Sequence, residues 1–485
     1  MKAVIIGGSI AGSAAALALA RGGVDVVVLE ADGTDLPSDV SDHALWLRPG
    51  TPHGRQAHAF LGLFVKTMRE FAPDVIEDIE RVGVIVRGPD ELIPPSLRGE
   101  LPDDSDNDLV VINSRRSLVE AVMRRAVLAE PRVQVRSGVG VAGLEAKQLD
   151  GVPAVTGVRT ATGELIEADV VLDASGRKTG VESWLSAIGA RPPSFVAAPT
   201  HQLYFTRHYQ LRKTNDLSTN GLSTNDLPPL NSGFVTGTQF PWFASLMFPG
   251  DNGILQVVVG ALPEDRPMKK VRDPEAFHAV TQMAPAVAPW VDPNISVPVT
   301  DVGAMGNLQN YVRRLVVDGE PVVTGIHLIG DAAAITNPQY GRGVSHAVGH
   351  STAVVKTVLD LAQSPKEQAR AVDAEVQRML VPSFENAVQL DRNRTVLWQA
   401  GMRGEPPPTP VPGTDAPFTQ KQVLVASMND GVVYRALFRC GMLLDPPGSW
   451  KHNEQVVQRI VETSTETGTA EAELPSRDEV LAAIS

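Results

Sequence analysis

The residues that promise chemistry begin at the N-terminus, where Gly7-Gly8-Ser9-Ile10-Ala11-Gly12 joins the apolar run Lys2 to Ile6 to the alanine-rich stretch Ser13 to Arg21. A second β-branched run, Val24 to Leu29, follows and is closed by Glu30. A glycine turn between a strand and a helix, with an acid at the end of the next strand, is the arrangement that binds a dinucleotide. Gly7 permits the tight turn and Gly12 the close approach of helix to strand. The helix start at Ile10 and Ala11 turns free N–H groups and a partial positive charge toward a pyrophosphate. Ser9 stands where the fingerprint has its middle glycine, with Gly8 beside it to supply slack. A carboxylate at Glu30 would accept hydrogen bonds from an adenosine ribose and repel a 2′-phosphate.

A second constellation lies far along the chain, in Leu328-Ile329-Gly330-Asp331-Ala332-Ala333 followed by Asn337-Pro338-Gln339-Tyr340-Gly341-Arg342-Gly343. Asp331, after a strand and a glycine, can accept the hydroxyls of a ribityl chain. Pro338, Gly341, Arg342 and Gly343 shape a loop ahead of a helix whose N-terminal amides favour negative charge. Three shorter segments accompany it: Arg115-Arg116-Ser117-Leu118 at a helix start, Asp173-Ala174-Ser175-Gly176-Arg177 after a strand, and Pro52-His53-Gly54-Arg55-Gln56-Ala57-His58.

Together these segments resemble the FAD-dependent class A flavoprotein monooxygenases with the para-hydroxybenzoate hydroxylase fold, and among them most closely the polyether epoxidase-like members. The resemblance covers most of residues 1–360, is strongest at the cofactor motifs, and makes no claim beyond residue 370. It implies FAD as the dinucleotide. It also places Arg115 near the diphosphate and ribityl region, Arg55, Gln56 and Ala57 along the flavin ring, and Asp331 on the ribityl chain. Two departures are visible: His53 stands where the pattern often has Gln, and the usual Asp-Gly pair of the middle motif is replaced by Asp173-Ala174-Ser175-Gly176. The reaction implied is insertion of one oxygen atom, by epoxidation or hydroxylation, into a small and largely apolar organic substrate through a flavin C4a-hydroperoxide. The electron donor is NAD(P)H or a separate flavin reductase. No catalytic side chain can be named.

The elements that must position these residues follow from periodicity. Lys2 to Leu29 reads as β-α-β, and strands at Leu109 to Ile112, Val133 to Val135, Val141 to Leu144, Val155 to Thr160 and Leu165 to Leu172 surround a helix from Arg116 to Glu130. Between about Pro192 and Val302 the chain turns to aromatic and β-branched segments, Leu203 to Leu211, Gly233 to Phe248 and Ile254 to Ala261, which predict a mostly antiparallel sheet. α/β chemistry returns at Val322, with a helix from Val344 to about Leu361, then further helix to Met402, a proline-rich loop from Glu405 to Pro417 and a final helical region. The expected fold is α/β: a discontinuous Rossmann-like FAD-binding domain (1–190 and 303–370), interleaved with a β-sheet substrate domain (191–302) and followed by a helical C-terminal region (371–485).

In the substrate sheet Tyr204, Phe240 and Trp242 are candidates to touch substrate, with ordinary sheet core as the competing reading for each. Arg207 reads as a solvated position rather than a substrate anchor. The repeat Thr214-Asn-Asp-Leu-Ser, Thr219-Asn-Gly-Leu-Ser, Thr224-Asn-Asp has the polar, turn-prone content of a hairpin tip.

Composition narrows the partners. A net charge of −13 argues against nucleic acid, which is bound through clustered Lys and Arg. The single Cys440 can build neither an intramolecular disulfide nor a cysteine metal site, which suggests a reducing, cytoplasmic setting. The glycines interrupting the apolar N-terminus and the lack of a basic segment beyond Lys2 oppose a signal peptide. No stretch reaches the roughly 20 apolar residues of a membrane span. The partners expected are a small-molecule substrate, O2 and a possible flavin reductase, without metal. Hydrolase and kinase motifs are absent from the sequence. Two rival functions remain: a flavin-dependent reductase or dehydrogenase of an isoprenoid-like substrate, and a flavin halogenase. The second needs a lysine after the first β-α-β unit and a Trp-x-Trp-x-Ile segment; Lys66 lies in a helical run, and Pro241-Trp242-Phe243-Ala244-Ser245-Leu246 lacks the second tryptophan.

Overall fold

The structure is a computed structural model that describes residues 1–46, 48–99, 104–212, 230, 233–406, 418, 420–463 and 474–485. The repeat at Thr214 and residues 407–417 of the proline-rich loop fall outside the described residues.

A five-stranded parallel sheet forms the nucleotide lobe, in the order Ile326–Leu328, Val170–Asp173, Lys2–Ile6, Asp25–Glu30, Val133–Ser137. Its strands are apolar on both sides because both faces are covered. Ala3, Ile5, Val26 and Val28 pack on one face with helices Ile10–Arg21, Arg116–Ala129 and Gly343–Asp360. The alternate residues Val4, Ile6, Val27 and Leu29 meet Leu144, Val155 and Val158 of a three-stranded antiparallel sheet on the other face. The apolar run Leu165 to Leu172 divides here into two strands, Leu165–Glu167 in the small sheet and Val170–Asp173 in the parallel one.

The second lobe is an antiparallel sheet of six strands, in which Thr236–Gln239, Phe243–Pro249, Ile254–Ala261 and Leu203–Leu211 are neighbours in that order. Ser296–Pro298 and Gly303–Met305 pair with the two halves of Leu203–Leu211. Strand period splits its side chains cleanly. Phe205, Tyr209, Phe243, Met247, Leu255, Val257 and Val259 face outward into a core closed by helices Pro274–Gln282 and Arg477–Ala483. Tyr204, Thr206 and His208, with their cross-strand partners Gly260, Val258 and Gln256, occupy the opposite face, toward the nucleotide lobe.

Helix Val381–Met402 begins with Pro382 in its first turn, directly after a π-helical segment Val376–Leu380. Proline lacks an N–H and crowds the carbonyl four residues earlier, and one wide turn relieves both conflicts. The helix then runs back across the junction of the two lobes. Among the described residues no helix is long and apolar enough to cross a membrane.

Candidate functional site

Gly7 has φ +99°, and a Cβ there would lie 2.5 Å from the Ala174 carbonyl at the end of the neighbouring strand. A Cβ on Gly12 would collide with the Gly7 carbonyl oxygen. Both glycines are thus demanded by backbone against backbone, which no rotamer can relieve. Ser9 ends the turn, and its hydroxyl accepts a hydrogen bond of 2.7 Å from Arg116 Nη2. That bond gives a reason for serine where the fingerprint has glycine.

Glu30 is buried at 7% exposure, deeper than a surface ribose contact would need, and it is already engaged. It accepts from the backbone N–H of Gly8 and of Asp32, each at 2.8 Å, and pairs with Arg48 Nη2 at 2.7 Å. Arg48 also meets Glu120, whose other oxygen accepts from Arg116 Nε at 3.1 Å. Burial alone would raise the Glu120 carboxyl, but the Arg116 and Arg48 guanidiniums outweigh it and hold the group below the usual carboxylate range. Arg116 also contacts His53; together with burial it pushes that imidazole down to about 2.

The sequence placed Arg115 beside the cofactor. Its guanidinium instead pairs with the fully buried Asp251 at 2.8 Å, next to His43. Arg116, the next residue, is the one that reaches the fingerprint loop. One residue along a helix start turns a side chain by about 100°, so sequence alone could not choose between adjacent arginines.

The distant second constellation closes on the first. Gly330 has φ +58°, and a Cβ there would stand 2.7 Å from the Ala11 side chain, so Asp331 lies against the start of the first helix. The Asp331 carboxylate is partly exposed and has no hydrogen-bond partner among the described residues, while its backbone carbonyl accepts from Tyr311 at 2.6 Å. Burial raises its pKa against the pull of Arg116 and Arg177. By contrast Asp173 of the middle motif is fully buried and spent on its own turn, accepting from the Ser175 N–H at 2.9 Å and from the Ser175 and Thr179 hydroxyls. After Asp331 the chain forms the loop Asn337–Tyr340, passes through Gly341 at φ +65° and enters helix Gly343–Asp360. The Arg342 guanidinium covers the Tyr340 ring of this loop at 5.0 Å and donates to the Ser383 carbonyl at 3.2 Å and to Asn386 at 2.7 Å, so it braces the loop against the C-terminal helix.

Segment Arg55 to His58 bridges the lobes. The Thr206 hydroxyl donates to Gln56 Oε1 at 2.5 Å, and the backbone of His58 is held from both sides by the amide of Gln256. Burial and Arg116 push the His58 imidazole down to about 3. Arg55 is exposed and its side chain has no hydrogen-bond partner among the described residues. Ala57 packs with Tyr204, Val258, Leu308, Phe248 and Met305, and of these Ala57, Phe248 and Met305 remain partly open.

Of the three substrate candidates, Tyr204 alone lies at this junction. Phe240 and Trp242 are buried in the outer core of the second lobe, where Phe240 stacks on Phe243 at 4.2 Å and Arg477 covers Trp242. Both precede the strand Phe243–Pro249, whose inward positions are Ala244, Leu246 and Phe248, and both face away from the junction. Arg207 also lies on the outer side, bound to the Thr300 and Pro274 carbonyls. Lys66 sits exposed on helix Gly62–Phe71, paired with Asp108 at 2.7 Å. It lines a cleft of about 610 Å³ between helices Ile10–Arg21, Gly62–Phe71 and Gly343–Asp360, along with Arg21, Gly349 and Lys356.

A discontinuous parallel-sheet lobe with a glycine fingerprint, laid against an antiparallel sheet, is the fold of the FAD-dependent monooxygenases. Pseudomonas aeruginosa PqsL, solved with 2-aminobenzoylacetate, superposes with a TM-score of 0.57 at 16% identity, covering 82% of this chain and 96% of PqsL. The p-nitrophenol 4-monooxygenase PnpA of Pseudomonas putida DLL-E4 gives 0.58 at 15% identity over 92% of this chain and 98% of its own. The flavin-dependent brominase Bmp2 gives 0.58 at 17% over 95% and 99%. No protein-family model and no curated protein matches the chain. Likeness at such identities speaks to the fold, and function is argued from the site.

Proposed function

We propose that this chain is an FAD-dependent monooxygenase that inserts one atom of O2 into a small, largely apolar organic substrate. The observation that carries the reading is the meeting of Gly330 and Asp331 with Ala11. It brings a carboxylate with no hydrogen-bond partner among the described residues to the start of the first helix, while Gln56 and Asn337 tie the half-open face of the second sheet to the same lobe through Thr206 and Tyr204. The residues fit FAD. The turn at Gly7 and Gly12 leaves no space for side chains, and the amides of Ile10 and Ala11 open the helix toward a diphosphate. Arg116 adds positive charge beside Ser9. Asp331 would accept ribityl hydroxyls, and the start of helix Gly343–Asp360 would favour negative charge at the flavin edge. Bound flavin supplies two-electron reduction and the activation of O2 for transfer.

The chain's own groups limit the proton chemistry. His53 and His58, held neutral down to about pH 2 and 3, act at neutral pH as hydrogen-bond partners and not as acids. Their task is to hold the segment against which Gln56 and Ala57 would meet the ring. Phe248 and Met305, partly open around Ala57, offer an apolar wall to substrate. The electron donor is either NAD(P)H or a separate flavin reductase. Lys66, exposed and paired with Asp108, lends no support to halogenation.

The test is to add FAD to the purified chain, reduce it, and measure uptake of ¹⁸O2 with a panel of aromatic and alkene substrates. Label appearing in product supports the reading. A protein that takes up no FAD sinks it, and one that binds FAD and reduces substrate without oxygen uptake is the rival reductase. Asp331→Ala should weaken FAD binding by about tenfold or more.

A further inference from the structure

A buried hydrogen-bond network outside the motifs holds the loop Asn337–Tyr340 in place. Its centre is Asp391, on helix Val381–Met402 in the C-terminal region, 2% exposed. Four side-chain donors converge on this carboxylate: Asn337 Nδ2 at 2.7 Å, the Tyr340 hydroxyl at 2.7 Å and Arg394 Nη1 at 2.6 Å on Oδ1, and Asn310 Nδ2 at 2.7 Å on Oδ2. Arg394 reaches on to Gln339 Oε1 at 3.1 Å and to the Thr200 carbonyl at 2.6 Å. The Asn310 carbonyl oxygen accepts the backbone N–H of Asn337 at 2.6 Å. Gln202 accepts from both Tyr204 and Asn337, and the Gln339 N–H reaches the Tyr204 hydroxyl at 3.2 Å. The junction strand Gln309–Arg314, the loop and the C-terminal helix thus end on one carboxylate, and the second lobe joins them through Gln202 and Tyr204.

We propose that Asp391 is the positioning residue that sets the loop Asn337–Tyr340, and through it the entry of helix Gly343–Asp360 at the flavin edge. The reason is directional. A carboxylate is acceptor-only, so it fixes the amides of Asn310 and Asn337 with their NH2 groups inward and their oxygens outward. The outward oxygen of Asn310 then receives the Asn337 N–H, and that of Asn337 receives the Gln339 N–H at 3.1 Å. The orientation of every loop amide named here follows from the charge state at position 391. In so closed a network, one reversed member leaves others unpaired. This inference rests on the cofactor reading above for its link to flavin, but the clamp itself does not.

Asp391→Asn is nearly isosteric yet turns one acceptor into a donor. An NH2 at the Oδ2 position would face the NH2 of Asn310, and rotating Asn310 to answer it would set a second NH2 against the Asn337 N–H. Asp391→Asn combined with Asn310→Asp restores an acceptor to every donor. Hydrogen exchange of the Asn337 and Gln339 amides in the full chain, with and without FAD, reads the clamp directly. FAD affinity and the flavin midpoint potential read its consequence. The expected pattern is slow exchange in wild type, exchange faster by about tenfold in Asp391→Asn, and recovery in the double variant. FAD affinity should fall and recover in step, and the potential should drop in the single variant as the flavin edge loses its oriented helix end. Unchanged exchange in Asp391→Asn, or a double variant no better protected than the single, overturns the proposal. Where Asp391→Asn fails to fold, a folded and protected double variant supports it, and a double variant equally unfolded overturns it. The exchange pattern appearing in a chain that binds no FAD would uphold the clamp and sink the cofactor reading instead.

Discussion

The two halves of the candidate site are built by opposite means. The N-terminal half, Gly7 to Gly12, is shaped by backbone contacts, Gly12 against Gly7 and Gly7 against Ala174 at the end of the adjacent strand, and needs only two glycines in the right places. The C-terminal half, Asn337 to Gly343, has no such autonomy. Its shape is imposed by side chains from residues 202, 204, 310, 391 and 394, which come from three separate segments. A local turn survives any change that spares its glycines, whereas an imported shape fails when one distant polar group is altered. The cofactor's diphosphate end would therefore be held by the robust half, and its reactive end by the half that depends on tertiary structure.

Acid is expected to act most strongly, on both halves together. Burial holds His346 down to about 3 and His208, His327 and His350 to about 4, alongside His53 at about 2 and His58 at about 3. Their unfolded values lie near 6.5, so between that pH and about 4 the unfolded chain binds more protons than the folded one. The stability these groups contribute is complete above pH 6.5 and is lost as pH falls toward 4. Thermal unfolding followed from pH 7 to 4 should show a steep, cooperative fall. A flat profile over that interval would show these imidazoles accessible to protons in the folded state.

Gly12→Val comes next and strikes the autonomous half. The side chain meets the Gly7 carbonyl with no rotamer to relieve it, so urea unfolding should show a loss of about 3 kcal/mol and the protein should retain no FAD. The arginine pair sharpens the comparison at smaller scale. Arg115→Ala strands Asp251 in the core and should cost about 3 kcal/mol of stability while the folded fraction binds FAD normally. Arg116→Ala should do the reverse: Glu120 keeps Arg48, so stability falls less, and FAD affinity falls about tenfold. Equal effects on affinity from both variants would refute the assignment of Arg116 to the fingerprint loop. Arg55→Ala, at an exposed position with no hydrogen-bond partner among the described residues, should change stability by less than about 0.5 kcal/mol.

The same contrast accounts for what could be read without a structure. Alternation and glycine punctuation located the parallel sheet and the antiparallel lobe, because strand period and turn chemistry are local properties of the chain. They also singled out Asp331, which follows a strand and a glycine, and its role toward FAD stands as a proposal. They named Arg115, whose side chain pairs with Asp251, where Arg116 is the one that reaches Ser9, and they named Phe240 and Trp242, which lie in the outer core, where Leu246 and Phe248 lie on the inward face. Those decisions turn on which way a side chain faces, and aromatic residues are enriched in cores as much as in pockets. Glu30 was legible as an acid at a strand end but not as one already carrying Arg48.

The sequence by itself determined two residues at which the backbone must turn or approach closely, Gly7 and Gly12, because sterics at those points involve the residue's own missing side chain. Only the tertiary structure decided which polar groups meet. The Asp391 carboxylate lies 54 positions from Asn337 and 81 from Asn310, and neither spacing carries a local signal. On a helix, Asp391 and Arg394 read as one more charged pair of the kind most often found in solvent. Burial makes them a clamp, and burial is a property of the assembled lobes, since a carboxylate can stay in the interior only where the fold brings enough donors to replace water.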